Sequence, residues 1–370
     1  MEICPVKEIY MGYIFSELRN KYKKLLPNFM SWYWAQFTIN DTNYFPQIHK
    51  IEDHIKIFEN EYSISKDEMF TLVMSLRKDL KAIHQNIASY EQNHSKRKLK
   101  YKIICDVKTW YVTISYVDER KTIYYDIPKV VYKQLSTRFT GRMGDLYKWS
   151  WCIIHRHKIL GIYNDGMQIS ITPEMINTFS KHLHLQGEMF GSVFNCTSRT
   201  YGSIFYDIEK QFGSIGSFFK TPTRKLQPGW WVINPPFVLS IMKALYLQLN
   251  RHLDVTSENI GFIIILPVWD HDGQNQLQNN AYTQPRYNAG DFSDIDLIHK
   301  LKQSKYYKDS LLITQQAMPY YNYFKDMYLK NVSASYIIFM SNHSISLKEL
   351  KLNIISDLGS YHDGMLDIKK

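Results

Sequence analysis

The chain has 370 residues, of which 45% are apolar and 22% charged, enough for a packed core and too much for global disorder. Lys and Arg outnumber Asp and Glu by 45 to 35, a net charge of +10 that favours a polyanionic partner, and 28 Tyr, 19 Phe and 8 Trp supply rings that stack bases as readily as they fill a core. The longest apolar run, Gly261 to Trp269, is about half of a membrane span, the start lacks a secretory pattern, and the isolated Cys4, Cys105, Cys152 and Cys196 argue against a zinc site and a disulfide scaffold.

The first hundred residues read as helical. Ser65-Lys66-Asp67-Glu68 forms a capping box, and Met69, Leu72, Val73, Leu76, Leu80, Ile83 and Ile87 follow at helical steps. A basic run from His94 to Lys102, with Lys96, Arg97 and Lys98 at its centre, suits phosphates or a nuclear address, and equally a solvated helix end. From Lys102 the alternation of β-branched and aromatic with polar residues predicts strands, up to about Ile127. A second basic and aromatic cluster holds Arg138, Arg142, Lys148, Trp149, Trp151, Arg156 and Lys158; its His155 and His157 are expected to face RNA or solvent. Thr172-Pro173-Glu174 starts a helix that runs to about His184.

A βαβ rhythm follows. Residues 188–195 predict a short buried strand, and Trp230 to Ile233 predict another that runs into Asn234-Pro235-Pro236-Phe237. Val238 to Leu249 then carry a helical apolar face, and Gly261 to Leu266 form a continuous apolar strand. Such a unit belongs to a parallel sheet whose ligands gather at the carboxyl ends of the strands.

Asn-Pro-Pro-Phe at a strand end has a definite chemistry. The lone pair of an exocyclic amine is delocalised into its ring; a side-chain amide oxygen and a fixed carbonyl that accept its two N–H bonds localise it toward an electrophilic methyl group. Asn234 supplies the first acceptor and Pro235 the second, Pro236 helps to hold the carbonyl's direction, and Phe237 offers a ring for the base. This is the signature of amino-methyltransferases that use S-adenosylmethionine on adenine N6, cytosine N4 or a glutamine amide. No metal is needed, and the adjacent Asp270-His271-Asp272 makes a poor metal site.

With Phe194 to Phe219 upstream and Phe262 to Trp269 downstream, the sequence resembles the phosphorylated CTD-interacting factor family, methyltransferases of the cap-adjacent adenosine of mRNA. The resemblance covers about Ile169 to Trp269, and more weakly Met318 to Met340. It implies that Asn234, Pro235, Pro236 and Phe237 are catalytic, that Asn195 lies by the methionine part of the cofactor, and that Asp207 or Glu209 accepts its ribose hydroxyls. Trp269 would stack a base, or only pack. Two departures stand out: no amino-terminal WW module is seen, so recruitment to transcribing polymerase is not implied, and no Gly-x-Gly-x-Gly loop follows Met189 to Asn195.

The sequence therefore predicts an α/β chain: a helical and β-rich RNA-binding region over 1–184, a Rossmann-like S-adenosylmethionine-dependent methyltransferase core over 185–345, and a tail over 346–370. The expected partner is capped RNA, held by Lys96, Arg97, Lys98, Arg138, Arg142 and Trp269, with no membrane, in the cytoplasm or nucleus. Abundant Lys, Asn, Ile and Tyr fit an AT-rich genome such as that of a large DNA virus. Two rivals remain: a methyltransferase of DNA adenine or a protein glutamine, and a degenerate enzyme kept as an RNA- or cap-binding subunit.

Overall fold

The computed structural model describes residues 3–22, 66–94, 101–163, 168–236, 239–267, 294–313, 318–329, 332, 334–354 and 356. They divide into two compact units. The first holds the described residues before Met167 together with Asp207–Phe212, and the second holds Gln168–Tyr206 and the described residues from Gly213 onward.

In the first unit α1 (Pro5–Lys21) has proline in its first turn and Arg19 and Lys21 in its last, where cations oppose the helix dipole. α2 (Lys66–His94) is the helix expected from the apolar spacing. Lys21 and Tyr22 both reach Asp79 on it, at 2.6 Å each. Three strands, β1 (Lys102–Val107), β2 (Tyr111–Val117) and β3 (Thr122–Pro128), form an antiparallel meander. Its second turn is closed by Asp118, whose Oδ1 accepts the backbone N–H of Arg120 and Lys121, 2.8 Å from each. Val112, Ile114 and Tyr116 alternate along the buried face of β2.

Next come α3 (Lys129–Arg138) and α4 (Leu146–Ile159), and α4 packs on β1, β2 and α1. The rings of the second basic cluster are interior: Trp151 is fully buried, its indole N–H donates to the Ile123 carbonyl at 3.1 Å, and its ring stacks on His155. His155 and His157, expected at the surface, are buried as well. From Trp149 to His157 α4 has no solvent-facing stripe, and Arg156 within that stretch finds its partners inside the unit.

The second unit is built on a five-stranded sheet in the order β5-β6-β7-β11-β8. β5 (Leu185–Glu188), β6 (Gly229–Ile233) and β7 (Ile260–Pro267) are parallel, whereas β11 (Ser335–Ser341) runs antiparallel to both β7 and β8 (Tyr307–Ile313). α5 (Pro173–His182), α6 (Leu239–Val255) and α7 (Asp294–Gln303) cover it. Alternate residues of each strand enter two separate cores: Trp230, Val232, Ile263, Ile265, Ile337 and Phe339 meet α5 on one face, and Trp231, Ile233, Phe262, Ile264, Ile338 and Met340 meet α6 and α7 on the other. Burial on both faces is why these strands read as unbroken apolar runs. A smaller antiparallel sheet joins β4 (Ile169–Ile171) to β9 (Tyr320–Asn322) and β10 (Met327–Leu329).

Three expectations change. β4 and α5 fall within the second unit, so it begins at Gln168 where the sequence suggested 185. The reason is pairing: β4 lies against β9, and Ile171, Met175, Ile176 and Phe179 belong to the sheet's own core. Residues 188–195 are not a strand; β5 ends at Glu188, and beyond it Asn195 and Cys196 turn back to the Ser192 carbonyl. The expected tail is helical at 348–354, and Leu347, Leu350 and Ile354 are core residues.

Candidate active site

The order of parallel segments reverses at β5. On one side Glu188 bridges in parallel to Tyr201, and Tyr201 to Ser214; on the other side lies β6, which comes later in the chain. An open sheet binds its ligands beyond the carboxyl ends of the strands at such a reversal. The turns that leave β5 and β6 there begin at Met189 and Asn234.

Asn234 follows the last residue of β6 directly, and its backbone course is set by Pro235 and Pro236. The side chain is half-buried. Its Nδ2 donates to Ser170 Oγ at 3.0 Å, and among the described residues no hydrogen bond reaches its Oδ1. Pro235 is buried and Pro236 half-buried. A side chain with one amide end anchored and the other unpartnered is suited to accept a hydrogen bond from a ligand.

Asn195 lies in the turn after β5, where its Oδ1 accepts the Ser192 backbone N–H at 2.8 Å and the Ser192 hydroxyl at 3.1 Å. The same hydroxyl reaches Gln168 Oε1 at 3.0 Å. Asn195 therefore closes its own loop, the local side-chain bonding that competes with a strand. Glu188, which the sequence did not single out, is a buried carboxylate at the end of β5; its Oε1 accepts the N–H groups of Thr197, at 2.7 Å, and Ser198, at 2.5 Å. Thr197 in turn bonds the Tyr323 hydroxyl at 2.8 Å, and burial pushes that phenol's pKa well up.

The glycines of Phe212 to Ser217 let backbones approach. Gly213 and Gly216 have positive φ, 102° and 103°, and a Cβ on Gly213 would sit 2.6 Å from the Arg199 carbonyl oxygen. Through them Ile215 N–H bonds the Tyr201 carbonyl at 2.8 Å, and Ser203 N–H the Gly216 carbonyl at 3.1 Å.

Asp207 and Glu209 are the two carboxylates expected at the cofactor ribose. Both belong to the first unit, where Asp207 accepts from Arg156 Nη1 and Nη2, each bond 2.8 Å, in a bidentate pair. Arg156 holds Glu8 with a second fork, 3.0 Å from Nε and 2.6 Å from Nη2. The two carboxylates keep the buried guanidinium charged and raise its pKa against the cost of desolvation. Glu209 is fully buried, 3.8 Å from His157 Nε2, beyond hydrogen-bonding distance. Burial lowers the pKa of His157 to about 3 and that of His155 to about 4. Asp207 is held in an ion pair within the first unit.

Of the expected RNA contacts, Arg142 is exposed and Arg138 half-buried at the end of α3. Phe237, Trp269, Lys96, Arg97 and Lys98 lie outside the described residues, as does Asp270-His271-Asp272. Among the described residues no cluster of His, Cys, Asp and Glu could hold a metal ion, and no helix is long and apolar enough to cross a membrane. Sequence reasoning missed Gln168, Ser170 and Glu188. The alternation Ile169-Ser170-Ile171 was the signal available for Ser170, since it sets the serine on the opposite face of the strand from the two isoleucines.

A family model described as "Phosphorylated CTD interacting factor 1 WW domain" matches residues 128–292. That description names a WW domain where none was expected at the amino terminus; the described part of the matched residues runs from α3 to β7. Two curated relatives share 30% identity with the chain over 125 residues, which is 32% of this chain and 17% of theirs. They come from Mus musculus and Homo sapiens, and each is named mRNA (2'-O-methyladenosine-N(6)-)-methyltransferase; the chain is similar to them over this part and spans less than a fifth of their length.

Proposed function

We propose that the second unit is a Rossmann-like methyltransferase core and that the chain transfers a methyl group from S-adenosylmethionine to N6 of an adenosine in RNA, the one next to the cap of mRNA. The observation that carries this reading is Asn234 at the carboxyl end of β6, beside the reversal of strand order, with Nδ2 anchored and no hydrogen bond to Oδ1 among the described residues. The names of the two relatives support the same reaction.

Asn234 Oδ1 and the Pro235 carbonyl accept the two N–H bonds of the adenine amine, which turns its lone pair out of conjugation. Pro235 and Pro236 hold that carbonyl's direction, so the chain's contribution is mainly orientation. Phe237 stacks the base. When bound, S-adenosylmethionine supplies an electrophilic methyl on a sulfonium. The loop Met189–Asn195 would hold it: that loop leaves β5 at the strand-order reversal and is tied down by Asn195 and Gln168. Asp207 is not assigned to it, because both its oxygens already accept from Arg156. Lys96, Arg97, Lys98, Arg138 and Arg142 grip RNA phosphates, and Trp269 stacks a second base.

The test is mass spectrometry of nucleosides released from capped, adenosine-initiated RNA after incubation with the chain and S-adenosylmethionine, beside uncapped RNA and duplex DNA. N6-methylated adenosine from capped RNA is the expected result. Methyl in duplex DNA alone would end the cap reading, and calorimetry with no S-adenosylmethionine binding would leave only a degenerate RNA-binding subunit.

A further inference from the structure

β4 and the residue before it reach both strand-end turns. Gln168, just before β4, and Ser170 within it are 3% and 8% exposed. Gln168 meets Ser192 in the turn after β5, and Ser170 meets Asn234 in the turn after β6. The strand that carries Ser170 is fixed in turn, by its pairing to β9 and by the Tyr323 hydroxyl, which donates to the Ile171 carbonyl at 3.0 Å.

An asparagine amide offers an acceptor at one end and two donors at the other, and a half-turn about its last bond exchanges them. Only one orientation serves the proposed reaction, since a reversed amide would set N–H groups against the N–H groups of the substrate amine. In the productive orientation Nδ2–H turns inward, away from water, where an N–H without an acceptor is costly. Ser170 Oγ is the acceptor at that place. We infer that Ser170 is a positioning residue: its hydroxyl takes the Nδ2–H of Asn234, so that Oδ1 is the end presented to the amine. This rests on the proposed methyltransferase reading, and it adds a residue on a different strand from the motif.

Ser170→Ala should lower kcat about tenfold, the size of one lost hydrogen bond. KM for RNA and for S-adenosylmethionine and the melting temperature should be unchanged, and Ser170→Thr, which keeps the hydroxyl, should recover most of the loss. In an Asn234→Asp background either carboxylate oxygen can accept, so Ser170→Ala should cost clearly less than in the parent. A second readout does not need turnover: in the full chain labelled with 15N-asparagine, the side-chain NH2 pair of Asn234, identified by its loss in Asn234→Asp, should exchange slowly. It should exchange fast in Ser170→Ala and stay slow in Gln168→Ala, which touches the other turn. Equal losses in both backgrounds, a drop in melting temperature that accounts for the lost rate, or an amide pair indifferent to Ser170 would overturn the inference. If the parent chain methylates no adenosine substrate, the functional reading falls by itself, and the amide exchange still decides whether Ser170 holds Asn234.

Discussion

The two units bury polar groups in opposite ways. In the first, charge is enclosed by charge: Arg156 is forked onto Glu8 on one side and Asp207 on the other, with two neutral histidines next to it in α4. In the second, both faces of the sheet are apolar and polar groups collect at the ends of β5 and β6, where Asn234 Oδ1 meets no described residue. A buried cluster that satisfies itself has no capacity left for a ligand, whereas a strand end with one unanswered acceptor has. Acidic residues near a motif are thus weaker evidence for a site than an amide whose other end is already tied.

The largest effect should come from opening the enclosed cluster. Arg156→Ala leaves the 3%-exposed Glu8 without its cation, a loss of about 3–5 kcal/mol in urea melts. The paired change Glu8→Leu with Arg156→Met removes both buried charges and should cost far less. If the pair is as damaging as the single change, the cluster does more than neutralise itself. Asn234→Ala should do the reverse: kcat falls about 10²–10³-fold while the melting temperature and RNA affinity hold. Substantial residual turnover would remove Asn234 from its assigned role.

The sequence showed much of the second unit and little of the first unit's interior. β6, α6 and β7 were legible because a period of 3.6 between two apolar runs has few other meanings. The turn after β5 was not, since Gly191-Ser192-Val193-Phe194-Asn195 looks apolar enough for a strand and only the side chains of Ser192 and Asn195, bonding backbone, decide for a turn. Arg156, His155 and His157 read as a solvated basic segment because nothing near them in sequence is acidic; the partners of Arg156 stand 148 and 51 residues away. Asn234 was legible by its motif, but the serine that anchors it lies 64 residues earlier in a strand of three.

Glycines give a smaller contrast between the units. Gly213→Ala would need a non-glycine residue at φ of 102°, with its Cβ 2.6 Å from the Arg199 carbonyl oxygen, and should cost about 1–3 kcal/mol in thermal melts. Gly144 of the first unit has open space around its missing Cβ, so Gly144→Ala should change little. Equal effects would mean that the close backbone approach beside β5 is not a constraint.

Acid bears on both units, and most on His157 of the first. A free histidine titrates near 6.5, while burial holds His157 to about 3 and His155 to about 4 in the first unit, and His252 to about 4 in the second. Below pH 6.5 the unfolded chain takes up protons that these folded imidazoles refuse, so stability is present above that pH, is lost as pH falls toward 4, and levels off below the folded values. Between pH 7 and pH 5 each such histidine should remove about 2 kcal/mol. His157→Asn keeps an N–H for the Ile153 carbonyl, which His157 Nδ1 meets at 2.8 Å, and cannot titrate; its urea melts at the two pH values should differ by about 2 kcal/mol less than those of the parent. An unchanged difference would mean that His157 gains its proton in the folded state, with Glu209 as its counter-ion, and that the first unit's cluster extends one charge pair deeper than the neutral imidazole implies.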